Sequence, residues 1–261
     1  MSTLPKTQKE RLDVLLVARG LAESRQKAQA MILAGEVTVS SQRSDKPGTM
    51  VPHDAVVEVK SEQGRYVGRG GLKLEGALED FGITPEGKIC LDAGSSTGGF
   101  TDCMLQHGAA LVYAVDVTTS QLAWKLRQDP RMVPIEANIR YLDPKALPKS
   151  PSFVTVDVSF ISVGKVLPRL LSIAASGAEF LILIKPQFEL ERGQVGRGGI
   201  VRDPQLHERA IDRVRAAAES LGLQVNGVKP SRVPGAEGNQ EFFLYATLAE
   251  ANSRPATNSV R

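Results

Sequence analysis

The chain has 261 residues, 42% hydrophobic and 23% charged, with a formal net charge of +3. That length allows one large or two modest domains, and the composition suits a packed core and excludes a disordered chain. Only two cysteines, a first stretch without the apolar centre of a signal peptide, and no apolar run of membrane-spanning length argue against a disulfide scaffold or an integral membrane protein. A cytoplasmic protein is expected.

In chain order, "KERLDVLLVARG" sets Leu12, Leu15 and Leu16 at helical spacing and stops at Gly20. "AESRQKAQAMILAG" repeats the pattern, with Ser24 as N-cap and Gly35 as the stop. "EVTVS" and "DAVVEVK" alternate like short strands, with a "KPG" turn between them. Residues 1–62 therefore read as a small domain of two helices followed by strands. Residues 1–60 hold nine Lys/Arg against seven Asp/Glu, so the charge excess is small. Its placement matters more: Arg11, Arg25 and Lys27 fall near one another at helix starts.

Residues 63–75 read as a linker, broken by Gly64, Gly68, Gly70 and Gly71 and carrying Arg65, Arg69 and Lys73 as a basic strip between two globular units. Residues 76–248 alternate strands and helices. The strands are expected at 89–93, 111–117, 153–157, 180–184, 224–228 and 241–247, and the clearest helix at 204–221. Apolar strands separated by helices imply an α/β domain with a mostly parallel sheet covered on both faces. The polar tail, 249–261, is expected to be disordered.

The stretch "LDAGSSTGGF" is a glycine turn after an apolar strand. A phosphate-binding P-loop would need Gly-Lys-Ser/Thr, but Phe100 follows Gly98 and Gly99. A dinucleotide fingerprint would need glycine at position 96, which is Ser96. The pattern Asp-x-Gly-x-x-x-Gly-Gly is that of S-adenosylmethionine (SAM) loops. Asp92, Gly94, Ser95, Ser96, Gly98, Gly99 and Phe100 become candidate cofactor residues, beside a helix start able to receive a carboxylate. Twenty-two residues past Gly94, the strand "LVYAVDV" ends with Asp116 and Val117, where an acid can hold ribose hydroxyls.

These stretches, with "GRGGLKLEGAL", "DVSFIS", "LIKPQFE", "GRGGIVRDP" and "GNQEFFL", resemble the TlyA-type, or hemolysin A, rRNA methyltransferases. The catalytic domain resembles the FtsJ class, with a Rossmann-like, seven-stranded fold. The first block resembles an RNA-binding domain first described in a ribosomal protein, which makes Arg11, Arg25 and Lys27, with Arg65 and Arg69 of the following strip, candidate RNA contacts, although Ser40-Ser41 stands where that family has Asn-Gly. The resemblance implies a Lys-Asp-Lys-Glu tetrad at Lys73, Asp157, Lys185 and Glu241, SAM as cofactor, ribosomal RNA or ribosomal subunits as partner, and transfer to a ribose 2′-hydroxyl, at cytidine. Lys185 would be the base. Asp157 and Lys185 also stand out without the resemblance, since each closes an apolar strand at the ligand edge of a parallel sheet.

The Asn/Asp-Pro-Pro-Tyr motif of amino-group methyltransferases is absent, "VDVSF" occupying its place, and Cys90 and Cys103 lie in core-like surroundings. Three scattered histidines suggest no metal site. The glycine- and arginine-rich stretch after Lys185 is expected to be a loop acting as a lid, with Arg192 and Arg197 on phosphate. "TTSQ" (118–121) and "EANIR" (136–140) depart from the family's usual Gly-Tyr-Gly-Gln and Glu-Arg-Thr-Asn-Ala-Arg, and both should border the cofactor. Two rival readings are a non-catalytic RNA-binding protein on a methyltransferase fold and a pore-forming hemolysin. The sequence supplies no amphipathic membrane helix for the latter. The oligomeric state is not fixed by sequence.

Overall fold

The structure is a computed structural model that describes residues 9–22, 24–40, 42–59, 65–235 and 238–250, apart from the side chains of Glu58, Arg192 and Arg197. It divides into two compact units, Met1–Gly64 and Arg65–Arg261.

In the first unit, β1 (Lys9–Arg11) leads into α1 (Leu12–Ala18) and α2 (Arg25–Leu33), followed by β2 (Val37–Val39), β3 (Gln42–Arg43), β4 (Met50–Pro52) and β5 (Val57–Val59). Helix α2 starts where the Ser24 hydroxyl accepts from the Lys27 N–H at 3.2 Å. It stops before Gly35, whose φ of +73° suits glycine. Leu12, Leu15, Leu16, Ala28, Ile32 and Val37 form the small core. β2 pairs with β3 and β5, and β1 with β4. Strands β1, β3 and β4 were not expected, because two or three residues give no period to read.

The second unit begins with α3 (Arg69–Phe81), β6 (Ile89–Ala93), α4 (Gly99–Gln106), β7 (Leu111–Asp116), α5 (Trp124–Arg127) and β8 (Met132–Glu136). It continues with β9 (Phe153–Val156), α6 (Leu167–Ile173), β10 (Glu179–Ile184), α7 (Pro186–Glu189), α8 (Pro204–Ser220), β11 (Leu223–Pro230) and β12 (Phe242–Leu248). The seven strands run in the order β11-β12-β10-β9-β6-β7-β8, parallel except for β12, which is antiparallel to both neighbours. Helices α3 and α4 cover one face over Leu74, Phe100, Cys103 and Met104. Helices α6 and α8 cover the other through Leu167, Leu170, Ile211 and Val214. This is a Rossmann-like α/β fold.

Two expectations need correction. The linker over 63–75 gives way at Arg69 to a helix, because Gly70 and Gly71 are the close-packed residues of its first turn. A side chain on Gly71 would overlap the Tyr66 ring, and one on Gly99 would press the Gly71 N at 3.0 Å. Strand β8 was missed: it is an edge strand interrupted by Pro134, with most of its residues exposed or half-exposed. Residues 60–64, 251–261 and Ser41 lie outside the described part, and so do the linker's start, most of the expected tail and half of the Ser40-Ser41 turn.

Candidate active site

The order of strands reverses direction between β6 and β9, and a parallel sheet offers its ligand site at the carboxyl edge there. β6 ends at Ala93, and the N–H groups of Gly94 and Ser95 both donate to the Val115 carbonyl at 2.9 and 3.1 Å. Gly94 has φ of +91°, and a Cβ there would stand 2.3 Å from the Asp157 carbonyl oxygen. Only glycine lets the loop lie this close to the end of β9. Gly98, at φ +94°, turns the chain into α4.

The loop's polar groups divide into two sets. The Ser96 N–H donates to Asp116 Oδ2 at 2.8 Å and the Thr118 N–H to Oδ1 at 3.3 Å, which aims the Asp116 carboxylate along the edge. Ser95 is buried, and its Oγ has no hydrogen-bond partner among the described residues. Two hollows follow. One, of about 430 Å³, is lined by Gly94, Ser96, Asp116, Val117, Asn138 and Ile139 among others. A smaller one, of about 130 Å³, is lined by Arg69, Gly70, Ser95, Gly99 and Phe100. Gln121 of "TTSQ" and Ala137 of "EANIR" also line the first hollow, so both departing segments do border it.

Asp92 needs correction as a ligand contact. It is fully buried, and its oxygens accept from Thr101 Oγ1 at 2.7 Å and Thr155 Oγ1 at 3.2 Å. Burial pushes its carboxyl up to about 7, with the two hydroxyls working against the shift and nearby Asp157 adding to it. Asp92 ties α4 and β9 to β6 and so positions the loop. Gly98 likewise shapes the turn without lining either hollow.

The expected tetrad converges. A third pocket, of about 370 Å³, is lined by Lys73 from α3, Asp157 beyond β9, Lys185 beyond β10 and Glu241 before β12. Lys73 Nζ donates to Glu241 Oε2 at 2.6 Å. Lys185 Nζ lies 2.5 Å from Asp157 Oδ1 as an ion pair, and donates a hydrogen bond to Ser159 Oγ at 2.9 Å. Glu241 is 2% exposed, so Lys73 is anchored at an almost fully buried acid, whereas the Asp157 side chain keeps 22% of its surface open. Arg69 lines both this pocket and the small hollow at the glycine loop.

Sequence reasoning passed over Phe160 and Glu189. Phe160 is 90% exposed, has φ of +63°, and borders both the large hollow and the tetrad pocket. A bulky residue in the left-handed region is a strained position. Its ring leans on Phe188, 5.1 Å away. Glu189 is buried and accepts from Ser162 Oγ at 2.6 Å and the Val163 N–H at 2.8 Å, clamping the segment after β9 to the segment after β10. Burial raises its carboxyl above the ordinary range. An exposed Phe in "VDVSF" and an acid ending "PQFE" were the available signals.

The remaining candidates lie apart from the tetrad. The stretch after Lys185 is not a plain loop: it forms α7 and two 3-10 turns, Arg192–Gln194 and Arg197–Gly199. The side chains of Arg192 and Arg197 lie outside the described part. Arg65 pairs with Glu75 and stacks over the Tyr66 ring, so its charge is partly engaged. In the first unit, fully buried Asp13 accepts from Arg11 through both oxygens at 3.0 Å, from Arg25 at 2.9 Å and from Gln29 at 2.8 Å. The Arg11 guanidinium, first among these donors, holds the Asp13 carboxyl well below the usual carboxylate range. Arg11 and Arg25 thus share one acid while staying about half exposed, and Lys27 is exposed nearby on α2. Among the described residues no cluster of His, Cys, Asp and Glu could hold a metal ion.

A doubly covered sheet, parallel except for β12, with a glycine loop after its first strand and an acid closing the next, is a Rossmann-like cofactor-binding domain. The FtsJ-like methyltransferase family matches residues 66–248, and the S4 domain family matches residues 10–57. The chain belongs to the FtsJ-like methyltransferase family and carries an N-terminal S4 domain. It is 48% identical over 240 residues to the 16S/23S rRNA (cytidine-2′-O)-methyltransferase TlyA of Mycobacterium tuberculosis, spanning 91% of this chain and 90% of that one. It is 42% identical over 237 residues to hemolysin A of Brachyspira hyodysenteriae, spanning 90% and 98%. A solved structure described as a hemolysin, from Streptococcus thermophilus, superposes with a TM-score of 0.69 at 45% identity, covering 93% of this chain and 90% of that one. Among the described residues no helix is long and apolar enough to cross a membrane.

Proposed function

We propose that this protein transfers a methyl group from SAM to a ribose 2′-hydroxyl of ribosomal RNA, at cytidine. The observation that carries this reading is the meeting of Lys73, Asp157, Lys185 and Glu241 in one pocket beside the glycine loop. The loop residues fit the cofactor. Gly94 leaves the backbone open, and the unpartnered Ser95 Oγ can bond its amino-acid end. Asp116 keeps lone pairs free for ribose hydroxyls, and Val117 and Ile139 offer apolar surface to the base. When bound, SAM supplies a methyl group already activated by its sulfonium.

The chain's own residues align the oxygen and manage its proton. Lys185 in its neutral amine form accepts the proton as the 2′-oxygen attacks, and the ammonium so formed makes the ion pair with Asp157 and the hydrogen bond to Ser159 that hold its Nζ in place. Lys73, fixed by Glu241, bonds the hydroxyl oxygen and keeps it in line. Phe160, standing in solvent at the pocket mouth, offers a face for a base turned out of its stack. Arg11, Arg25 and Lys27 of the S4 domain, with Arg65 and Arg69, contact phosphate and orient the RNA. Arg192 and Arg197 close over it, so the double alanine variant weakens RNA binding. The relative's rRNA (cytidine-2′-O) activity supports the choice of substrate.

The test is transfer of radiolabelled methyl from SAM to unmodified ribosomal subunits and to bare RNA, with Lys185→Ala beside wild type. Label on a ribose 2′-oxygen with wild type alone is expected. Binding of SAM and RNA without any transfer would overturn the enzymatic reading in favour of a non-catalytic RNA-binding protein.

A further inference from the structure

The tetrad pocket has a neighbour. A hollow of about 430 Å³ lies between the segment after β9, helix α7 and helix α8. It shares Phe160, Gln187 and Phe188 with the tetrad pocket, so the tilted Phe160–Phe188 pair stands at the border of both. Two exposed cations, Lys165 and Arg213, line its far side. Arg213 is fixed in place, its Nη1 donating to the Glu189 carbonyl at 2.8 Å. Glu189 also lines the hollow, but both its carboxylate oxygens are taken by Ser162 and Val163. Gln187 Oε1 is buried and has no partner among the described residues. A buried acceptor left alone is costly and is satisfied when a donor arrives.

An aromatic face, an unpartnered amide oxygen and two cations, in continuity with a pocket for a ribose, match one chemistry. We propose that this hollow holds the nucleotide adjoining the modified one in the same RNA strand. Its base lies against Phe188, an amino or ribose hydroxyl group donates to Gln187 Oε1, and its phosphate sits between Lys165 and Arg213. Glu189 is then a positioning residue, since its hydrogen bonds hold together the two segments that form the walls. The inference rests on the RNA methyltransferase reading and extends it from one nucleotide to two.

The experiment uses the full chain with the SAM analogue sinefungin, and measures binding to unmodified ribosomal subunits at two salt concentrations. Methyl transfer is measured in parallel. Lys165→Ala is expected to weaken binding about fivefold and to reduce the salt slope by about 0.7, the share of one single-strand phosphate contact. Lys165→Arg restores binding. Lys88→Gln removes the same charge just before β6, at the opposite edge of the sheet, and changes binding less than twofold. In transfer assays Lys165→Ala raises KM for subunits and leaves KM for SAM unchanged. Binding by Lys165→Ala within twofold of wild type at both salts overturns the proposal. So does a parallel rise in KM for SAM, which would assign the hollow to the cofactor. Wild-type binding without methyl transfer sinks the enzymatic reading alone, and the binding comparison still decides the subsite.

Discussion

Two groups of paired charges, one in each unit, are built differently. In the S4 domain one fully buried acid, Asp13, gathers Arg11, Arg25 and Gln29. At the sheet edge of the methyltransferase domain four ionic groups form two separate pairs, Lys73–Glu241 and Lys185–Asp157, around a pocket. The hub fixes the geometry of a surface: its acid is out of reach and its arginines face water. The pairs leave reactive atoms within reach of a ligand. Salt bridges alone therefore say little about role, and the exposure of the groups around them says more.

The largest effect that sharpens this contrast is on rate. Lys185→Ala should lower methyl transfer about 10²- to 10⁴-fold, the range for a positioned proton acceptor, while the thermal midpoint changes little. Retention of more than a tenth of the wild-type rate would break the distinction between pair and hub. Next in size is Gly94→Ala. Its φ of +91° and the 2.3 Å approach to the Asp157 carbonyl force the loop away from β9. Strain of this kind costs about 1–3 kcal/mol, so calorimetry should find SAM binding weakened by about fivefold or more. Unchanged affinity would mean that the cofactor does not need this close approach.

Legibility in the sequence followed the same divide. Strands β6, β9 and β10 were readable because burial on both faces makes them uninterrupted apolar runs. Lys185 and Asp157 were readable because each ends such a run. Edge strand β8 was hidden by Pro134 and its exposed residues. Helix α3 was hidden by Gly70 and Gly71, which read as breakers but serve as points of close packing. Asp92 belonged to the right motif but received the wrong role, since only the fold shows that Thr101 and Thr155 occupy its carboxylate. Glu189 and Phe160 were missed because their roles depend on neighbours far away in sequence.

Two fully buried aspartates make a sharper version of the comparison, through pH. Asp13 is held below its unfolded value by its guanidinium partners, so the stability it gives is present above about pH 4 and is lost as pH falls toward the folded value. Asp92 is displaced the other way, to about 7, because burial outweighs two hydroxyl donors. The folded state then binds the extra proton, and stability drains away as pH rises from about 4 to about 7. Asp13→Asn should lower the melting temperature at pH 7 and flatten the acid limb of the S4 domain's transition. Asp92→Asn should flatten the opposite limb in the methyltransferase domain. Parallel pH profiles for wild type and both variants would show that burial and partners do not set these charges as described.

The smallest effect on stability is expected at Phe160, where neither ionic pairing nor burial is at work. Its ring is 90% exposed, so removal forfeits little core packing, and its φ of +63° is a conformation that glycine adopts without strain. Phe160→Gly should leave the fold unchanged or stabilise it by up to about 1 kcal/mol, the relief of left-handed strain offset by the flexibility of glycine in the unfolded chain. Methyl transfer should still suffer. A stacked base is worth about 1–3 kcal/mol, so KM for RNA should rise about tenfold with KM for SAM unchanged. A variant that is no less stable yet a poorer enzyme would locate strain that is retained for substrate binding. If KM for RNA stays at the wild-type value, the ring is a bystander at the pocket mouth, and the work of holding the target nucleotide falls to the charged pairs alone.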